Sequence, residues 1–547
     1  MKAHSLILLT ALLALAVGYA FPAEPATPSF RFAEATIDGL QAQMAAGQLT
    51  AHELTAAYLD RIAQIDRRGP TLRAVIEVNP DALAIADQLD VERRAGKVRG
   101  PLHGIPVLIK DNIGTADRME TTAGSLALIG AKPPRDAFVV TRLRDAGAVI
   151  LGKSNPSEWA NFRGEHSISG WSARGGQTRN PHALDRNPSG SSSGSAAAVA
   201  AGLCLVAVGT ETDGSIVSPA SHCGIVGVKP TVGLISRTGI IPISVSQDTA
   251  GPMARTVRDT ALLLAAMQGG DASDPATMQR PAGMALDLSV ALAPGALKGA
   301  RLGIMRDVAK FPPRTARVLE DVLVALRVAG AEIIDPVEPP DLGKIWAAEW
   351  EILCYEFKDG INAWFASLGA GTRVKSLAEL IEFNTAHADL ELRHFGQERL
   401  VAAQAKGPLT EPAYLEALAQ ARRLSRDEGI DALLAIHRLD AIIMLTAGPA
   451  WLIDPVNGDH VMGETSALAA VAGYPSVTVP AGEDFGLPIG VSFVGGAWTE
   501  PRLLALAADF EARTRARRSP RFLPMVQEAA PALQPDARVL DPSPPRP

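Results

Sequence analysis

The sequence is poor in cysteine and lacks any recognisable metal-binding motif. Its three cysteines, Cys204, Cys223 and Cys354, are widely and irregularly spaced among 547 residues, and an odd, irregular set does not form a disulfide framework. Neither a CxxC pair nor an HExxH motif occurs, so we expect no dedicated metal site. Cys204 lies in an apolar run, which favours a small core residue.

Neither sign of charge predominates in the sequence. The 59 acidic and 52 basic residues leave a formal net charge of −7, and no Lys/Arg block interleaved with aromatic residues precedes the C-terminal tail. Such a chain has no strong field for polyanions, so we expect no nucleic acid partner. Because 47% of the residues are hydrophobic and only 20% are charged, the chain has enough apolar material for a large core.

Long apolar runs are absent except at the start. Met1 and Lys2 precede an apolar run over Leu6–Val17, and small residues follow in Gly18-Tyr19-Ala20. The run is shorter than the roughly 20 residues that cross a bilayer. The pattern favours a signal peptide over residues 1–20 rather than an uncleaved anchor or a buried helix. We therefore expect an exported protein, periplasmic or secreted, without an integral membrane span in the mature chain.

Short apolar strands alternate with helices in the first half of the chain. Ile105–Ile109 is a predicted strand with Lys110 directly beyond it. Phe138–Asp145 is a predicted helix, and the next strand is predicted at Ala148–Leu151. This alternation predicts a layered α/β core.

The remaining pattern predicts a single domain over residues 31–515. A linker over 21–30 precedes it, and a Pro- and Arg-containing tail over 516–547, which we expect to be disordered, follows. Residues 297–438 form a mostly helical segment of that domain. The elements predicted after this segment are three strands and a last helix, Ala441–Leu445, Ser476–Val479, Ile489–Val494 and Pro501–Arg515.

A glycine- and serine-rich segment marks the candidate site. Gly190–Ser195 leads into a helix predicted at Ala196–Gly202, whose small side chains require close packing. Leu203–Val208 is an apolar run typical of a strand buried on both faces. The loop Gly209–Ser215 then leaves the end of a strand at which open α/β sheets usually bind ligands. In isolation, each piece would fit a flexible loop or a solvated surface equally well.

One local motif points to a different enzyme. Gly190-Ser191-Ser192-Ser193-Gly194 satisfies GxSxG, the nucleophile elbow of α/β-hydrolases. That elbow needs a buried strand immediately before the serine, whereas the preceding residues 179–189 are turn-like throughout. A Ser-His-Asp hydrolase is therefore disfavoured.

Several motifs taken together resemble the amidase signature family over nearly the whole mature chain. Their order along the chain is specific, although each would be weak alone. They are Gly104-Ile105-Pro106, Lys110-Asp111-Asn112, the serine-rich segment, Asp213–Ile216, Cys223–Thr231, Asp248–Met253, Gly473-Tyr474-Pro475 and Gly490–Phe493. The resemblance implies one amidase signature fold, with a large central mixed β-sheet flanked by helices on both faces.

The resemblance also implies a catalytic set of Lys110, Ser191 and Ser215, with no cofactor. Lys153 is the nearest rival lysine, but it lies outside the lysine motif. In this family the bridging serine follows a cis peptide bond, which implies a cis Gly190–Ser191 link. Ser193 and Asp213 depart from the common family pattern, and both departures resemble bacterial peptide amidases, as does the segment Trp171–Pro181.

The chemistry of such a set makes physical sense. A serine hydroxyl needs a neighbouring base, and a lysine, with an ordinary pKa of about 10.4, becomes a base only where its charge is disfavoured. We hypothesise that a neutral Lys110 accepts a proton from Ser191, which accepts one from Ser215. The oxyanion would be held by the backbone N–H groups of Thr212, Asp213 and Gly214.

The expected reaction is hydrolysis of C–N amide bonds through an acyl-enzyme. The expected substrates are small molecules or short peptides, with C-terminal peptide amides or small primary amides that release ammonia favoured, although anilides fit nearly as well. The alternatives are a non-catalytic binding protein and an amidotransferase-type subunit. Specificity is assigned to variable segments, whose aromatic residues favour core over pocket positions: Trp171, Trp346, Trp350, Tyr355 and Trp364.

Overall fold

The computed structural model describes residues 30–282, 292–306, 308–369 and 371–526. Within these ranges, eleven strands form one sheet and two short strands form a separate hairpin. The strands are β1 (Val75–Val78), β2 (Pro106–Lys110), β3 (Val149–Ser154), β4 (Trp171–Ser172), β5 (Gly176–Gln177), β6 (Val206–Glu211), β7 (Val226–Lys229), β8 (Thr249–Ala254), β9 (Arg301–Ile304), β10 (Glu332–Ile334), β11 (Ala441–Leu445), β12 (Ser476–Asp484) and β13 (Leu487–Val494).

The large sheet is mixed, as predicted. Its strand order is β1-β3-β2-β6-β8-β7-β12-β13-β11-β9-β10. Strand β2 pairs in parallel with both β3 and β6, whereas β6, β8, β7, β12, β13 and β11 are joined by antiparallel pairs. Strands β2 and β6 therefore lie side by side inside the sheet, where parallel strands are buried on both faces.

Helices flank this sheet. In the described ranges they are α1 (Ile37–Ala45), α2 (Ala51–Arg61), α3 (Ala82–Arg94), α4 (Phe138–Asp145), α5 (Ser193–Ala200), α6 (Val217–His222), α7 (Val257–Met267), α8 (Pro313–Val328), α9 (Leu342–Ser367), α10 (Leu377–Ala386), α11 (Ala388–Glu391), α12 (Glu398–Gln404), α13 (Pro412–Arg422), α14 (Asp431–His437), α15 (Ala467–Ala472) and α16 (Glu500–Thr514). Among them, α5 packs on β6 and β8, and α16 packs on β12 and β13.

Most predicted strands differ from the observed ones at one or both ends, by one to five residues, and two of these differences bear on the site. The strand predicted at Leu203–Val208 is observed three residues later as β6, because Gly209, Thr210 and Glu211 continue the antiparallel pairing with β8. Lys110 is the last residue of β2 rather than the residue beyond it, since it still pairs with Ser154 of β3. The predicted helix Phe138–Asp145 and strand Ala441–Leu445 match the observed bounds.

The segment 297–438 is mostly helical, but it also supplies strands. Strand β9 pairs in parallel with both β10 and β11, so β9 and β10 form one edge of the large sheet. With four and three residues, these strands are too short for a clear alternation of apolar and polar residues.

Helix α5 packs as closely as its small residues require. All eight of its residues are buried. A Cβ atom on Gly194 would lie 2.2 Å from the carbonyl oxygen of Ala74 and 2.5 Å from the backbone nitrogen of Asn155. The helix therefore reaches the neighbouring backbone at a distance that only glycine permits.

The predicted end segments lie largely outside the described residues. This holds for the signal peptide over 1–20, for most of the linker and for 527–547. Residues 516–526 are described, and Phe522 and Leu523 are buried, with the Leu184 N–H donating to the Leu523 carbonyl oxygen at 2.8 Å. No helix in the described ranges combines the length and apolar character that a membrane crossing requires.

Candidate active site

Lys110 is the last residue of β2, and its side chain lies inside the protein. Its side chain is fully buried. The amine donates to Ser191 Oγ at 2.7 Å, to Thr210 Oγ1 at 2.9 Å and to the Thr210 carbonyl oxygen at 3.2 Å. Because Thr210 belongs to the neighbouring strand β6, the sheet itself fixes the amine against Ser191.

This environment disfavours the charge on the lysine. Burial lowers the pKa of Lys110 to about 7, even though the Asp248 and Glu211 carboxylates act in the opposite direction. A group with that pKa is about half neutral at pH 7. A neutral amine has a free lone pair, and here the nearest hydroxyl belongs to Ser191.

Ser191 lies in the turn before α5 and is fully buried. The peptide bond between Gly190 and Ser191 is cis, as the family resemblance implied. A Cβ atom on Gly190 would lie 2.2 Å from Ser157 Oγ, and the Ser157 N–H donates to the Ser191 carbonyl oxygen at 3.0 Å. The close approach of Ser157 explains why a glycine precedes Ser191.

The nucleophile elbow suggested by GxSxG is absent. The described stretch from residue 178 to 192 contains isolated bridges but no strand that leads into the serine. Ser192 Oγ donates to the Thr210 carbonyl oxygen at 3.0 Å and accepts from the Thr210 N–H at 3.1 Å. The buried His182 and His222 bond to backbone carbonyl oxygens instead of a serine. Ser192 is therefore bonded to the backbone of β6, and none of the hydrogen bonds of the described residues joins it to a histidine.

Ser215 lies in the loop between β6 and α6 and lines a cavity of about 470 Å³. The residue is 8% exposed, and its carbonyl oxygen accepts from the Ser192 N–H at 3.1 Å. The structure thus brings Lys110 and Ser191 into direct contact and holds Ser215 against the same turn. Among the hydrogen bonds of the described residues, none joins the Ser191 and Ser215 hydroxyls.

The loop around Ser215 is held from both sides. Glu211 accepts from the N–H groups of Ile216 at 2.7 Å and Val217 at 3.0 Å. Thr212 Oγ1 donates to Asp248 at 2.5 Å. These hydrogen bonds hold the loop that carries the Thr212, Asp213 and Gly214 N–H groups. The oxyanion role of these groups stays a prediction.

Lys153, the rival lysine, is also fully buried but lies elsewhere. Its amine donates to the Ile113 carbonyl oxygen at 2.6 Å and to Thr121 Oγ1 at 2.8 Å. Burial lowers the pKa of Lys153 to about 8, opposed by the charge of Asp111. Neither lysine lines the cavity around Ser215, but Lys153 lacks the contact with Ser191 that Lys110 makes.

Most of the carboxyl groups that line this cavity could not be identified from the sequence. Four are Asp213, Glu349, Asp459 and Glu464. Burial raises the pKa of Asp213 to about 6 and that of Glu464 to about 7, and it raises the pKa of Glu349 well above its ordinary value. Only Asp213 had been singled out, as a departure from the common family pattern; the others come from distant segments without a local motif.

The aromatic residues assigned to specificity do not line this cavity. Trp171, Tyr355 and Trp364 are buried, as a core position implies, whereas Trp346 and Trp350 are 49% and 39% exposed. The aromatic residues in the cavity wall are Phe162 and Trp451. The predicted region still contributes through α9, which places Glu349 and Leu353 in the wall.

Comparison with known proteins identifies amidases among the relatives of this chain. The sequence model of a protein family described as Amidase matches residues 53–504. A probable amidase of Arabidopsis thaliana is 41% identical over 95% of this chain and 97% of its own length. The crystal structure of native peptide amidase from Stenotrophomonas maltophilia is 55% identical, with a TM-score of 0.86, and covers 90% of this chain and 100% of that one.

More distant relatives include a glutamyl-tRNA(Gln) amidotransferase subunit from a Synechococcus species. It is 35% identical over 86% of this chain and 95% of its own length. The fold is therefore shared by proteins that carry different names, so the fold alone does not select among amide substrates.

Proposed function

The chain belongs to the amidase family, and from that premise we propose that Ser215, Ser191 and Lys110 form the catalytic set of an amide hydrolase. The observation that carries the proposal is the buried Lys110 amine, 2.7 Å from Ser191 Oγ, in surroundings that lower its pKa to about 7. Lys110 acts as the base, Ser191 relays the proton and Ser215 is the nucleophile.

The reaction follows from these positions. Lys110 takes the Ser191 hydroxyl proton as Ser191 takes the proton of Ser215, and Ser215 Oγ attacks the amide carbon. The relay in reverse delivers a proton to the departing nitrogen, the C–N bond breaks and an acyl-enzyme remains. Water then attacks the ester and releases the acid. Backbone N–H groups of residues 212–214 hold the oxyanion, where losing one donor costs roughly 10²–10³ in rate.

The proposed substrates are short peptides or small molecules with a C-terminal or terminal carboxamide, which release ammonia. The 55% identity to a peptide amidase supports this choice. An amidotransferase-type subunit is supported more weakly, by relatives at 35% identity. A non-catalytic binding protein is disfavoured because Lys110, Ser191 and Ser215 are all present.

The test is ammonia release from an amidated dipeptide by the chain and by its Ser215→Ala variant. We expect release by the chain and a loss of at least about 10³ in the variant, because the nucleophile is gone. Equal release by both would show that another residue is the nucleophile. Failure of the chain to react with a serine-directed fluorophosphonate would point to the binding protein.

Export also remains a proposal. It is supported by the short apolar run over Leu6–Val17 followed by small residues. Mass spectrometry of the protein from the periplasm or medium of a bacterial host should give a chain that begins after residue 20. An intact Met1 terminus on protein found only in the cytoplasm would contradict it.

A further inference from the structure

We propose that the Asp213 carboxylate, assisted by Glu349, binds the N–H groups of an unsubstituted carboxamide and selects primary amides over substituted ones. This inference rests on the proposed function and assigns specificity to side chains beyond the catalytic set. Asp213 lies two residues before Ser215, and both line the same cavity.

One oxygen atom of the Asp213 carboxylate has no hydrogen-bond donor. Its Oδ1 atom is buried and has no hydrogen-bond partner in the described part of the chain. Buried polar atoms are nearly always paired in folded proteins, and an exception needs an explanation. An acceptor in the cavity wall beside the nucleophile is explained if the substrate supplies the missing donor.

Glu349 is joined to the same loop through Gln247. The Gln247 amide donates to Glu349 Oε1 at 2.7 Å and to the Thr212 carbonyl oxygen at 3.3 Å. Burial, and then the nearby charge of Asp213, raises the pKa of Glu349 well above its ordinary value. Burial and the neighbouring Asp213 charge thus both favour the protonated form of Glu349.

The other buried carboxyl groups of the cavity have hydrogen-bond donors. Asp459 accepts from the Ser169 N–H and hydroxyl and from the Trp451 indole N–H, and Glu464 accepts from the Ser218 hydroxyl at 2.6 Å. Asp213 bonds to a serine hydroxyl of the segment before α15, but its buried Oδ1 atom has no donor in the described part of the chain. That oxygen can accept from a substrate.

A carboxamide is complementary to this loop. Its carbonyl oxygen needs N–H donors, which the backbone of residues 212–214 carries, and its NH2 group needs an acceptor, which Asp213 provides. An N-methyl amide lacks one N–H, and a methyl ester of the same acid lacks both. A site built to bond a substrate N–H discriminates against analogues that lack it, because the protein group is then left unpaired.

The experiment compares kcat/KM for a peptide amide and for the methyl ester of the same peptide, in the chain and in Asp213→Ala. Both substrates give the same acyl-enzyme, but only the amide presents N–H groups. We expect the amide value to fall about tenfold or more and the ester value to change by less than about threefold. Asp213→Asn keeps an acceptor oxygen and a similar shape, so it should lose less on the amide and nothing on the ester.

Glu349→Ala, which removes the acceptor of the Gln247 amide, should lower the amide value and spare the ester in the same way, whereas Glu165→Gln, at an exposed carboxyl of the cavity rim, should leave the amide-to-ester ratio unchanged. Equal losses on both substrates in the Asp213 variants would overturn this inference and leave the catalytic set standing. A chain that cleaves neither substrate would overturn both proposals.

Discussion

Two neighbouring strands each carry a fully buried lysine, and the two lysines have different surroundings. Lys110, at the end of β2, contacts the Ser191 hydroxyl, a second hydroxyl and a carbonyl oxygen. Lys153, in β3, contacts a different carbonyl oxygen and hydroxyl, and the charge of Asp111 partly compensates its own. Burial lowers the pKa of both, to about 7 and about 8.

The difference shows that burial alone does not make a lysine a base. What distinguishes Lys110 is that its amine touches the hydroxyl of Ser191, whose own turn is bonded to Ser215. Lys153 instead satisfies acceptors that burial would otherwise leave unpaired. We therefore assign a role in catalysis to Lys110 and a role in stability alone to Lys153. Three measurements test this assignment.

The largest effect is expected for Lys110→Met. Methionine fills a similar volume without the amine, so Ser191 loses its base and kcat/KM for an amide should fall by about 10³. The free energy of unfolding should also fall, by about 1–3 kcal/mol, because the buried Thr210 carbonyl oxygen and hydroxyl lose a donor. Steady-state kinetics with urea unfolding of the same sample would measure both. Near-normal turnover would show that Lys110 is not the base.

Lys153→Met should lower the stability of the fold but leave the activity nearly unchanged. Removing the amine leaves the Ile113 carbonyl oxygen and the Thr121 hydroxyl short of a donor and takes a positive neighbour from Asp111. The free energy of unfolding should therefore fall by about 2–3 kcal/mol. The kcat of the folded variant should stay within about threefold of the parent. A loss of kcat like that of Lys110→Met, with unchanged stability, would break the distinction between the two lysines.

The smallest effect is a pH dependence. Below a pKa of about 7, Lys110 is protonated and has no lone pair for the Ser191 proton. The value of kcat/KM should therefore rise with pH through about 7, and be about tenfold lower one unit below that pKa than on the plateau.

Two variants identify the group behind this limb. Burial also raises the pKa of Glu464, in the cavity, to about 7, so Glu464→Gln should retain the limb if Lys110 causes it. Lys153→Met should retain it as well. A limb that vanishes in either variant would assign the titration to that residue.

Much of the site could be predicted from the sequence because its parts are close along the chain. Ser191 and Ser215 flank one helix and one strand, and the small residues of that helix indicate its close packing. Lys110 is distant in sequence, but it lies in a recognisable motif after an apolar strand. The roles proposed for these residues come from the family resemblance, because spacing alone does not assign them, and they stay predictions.

Most of the cavity lining could not be predicted from the sequence, because tertiary contacts bring its residues together. Glu349 comes from the first half of α9, and Asp459 and Glu464 come from the segment before α15, with no local pattern to mark them. The same limit applies to the edge of the sheet, where β9 and β10 are too short to stand out in a helical segment. The exposure of Trp346 and Trp350 likewise depends on which face of α9 the rest of the chain covers.

The close packing of α5 has a consequence for laboratory evolution of the enzyme. Gly194 touches neighbouring backbone, and Gly190 touches Ser157, so larger residues there would displace the turn that carries Ser191. Other parts of the cavity lining come from α9 and from the segment 457–464. Libraries that seek new substrates should therefore diversify those two segments and keep residues 190–200 fixed, because the close packing of α5 leaves little room for replacements there.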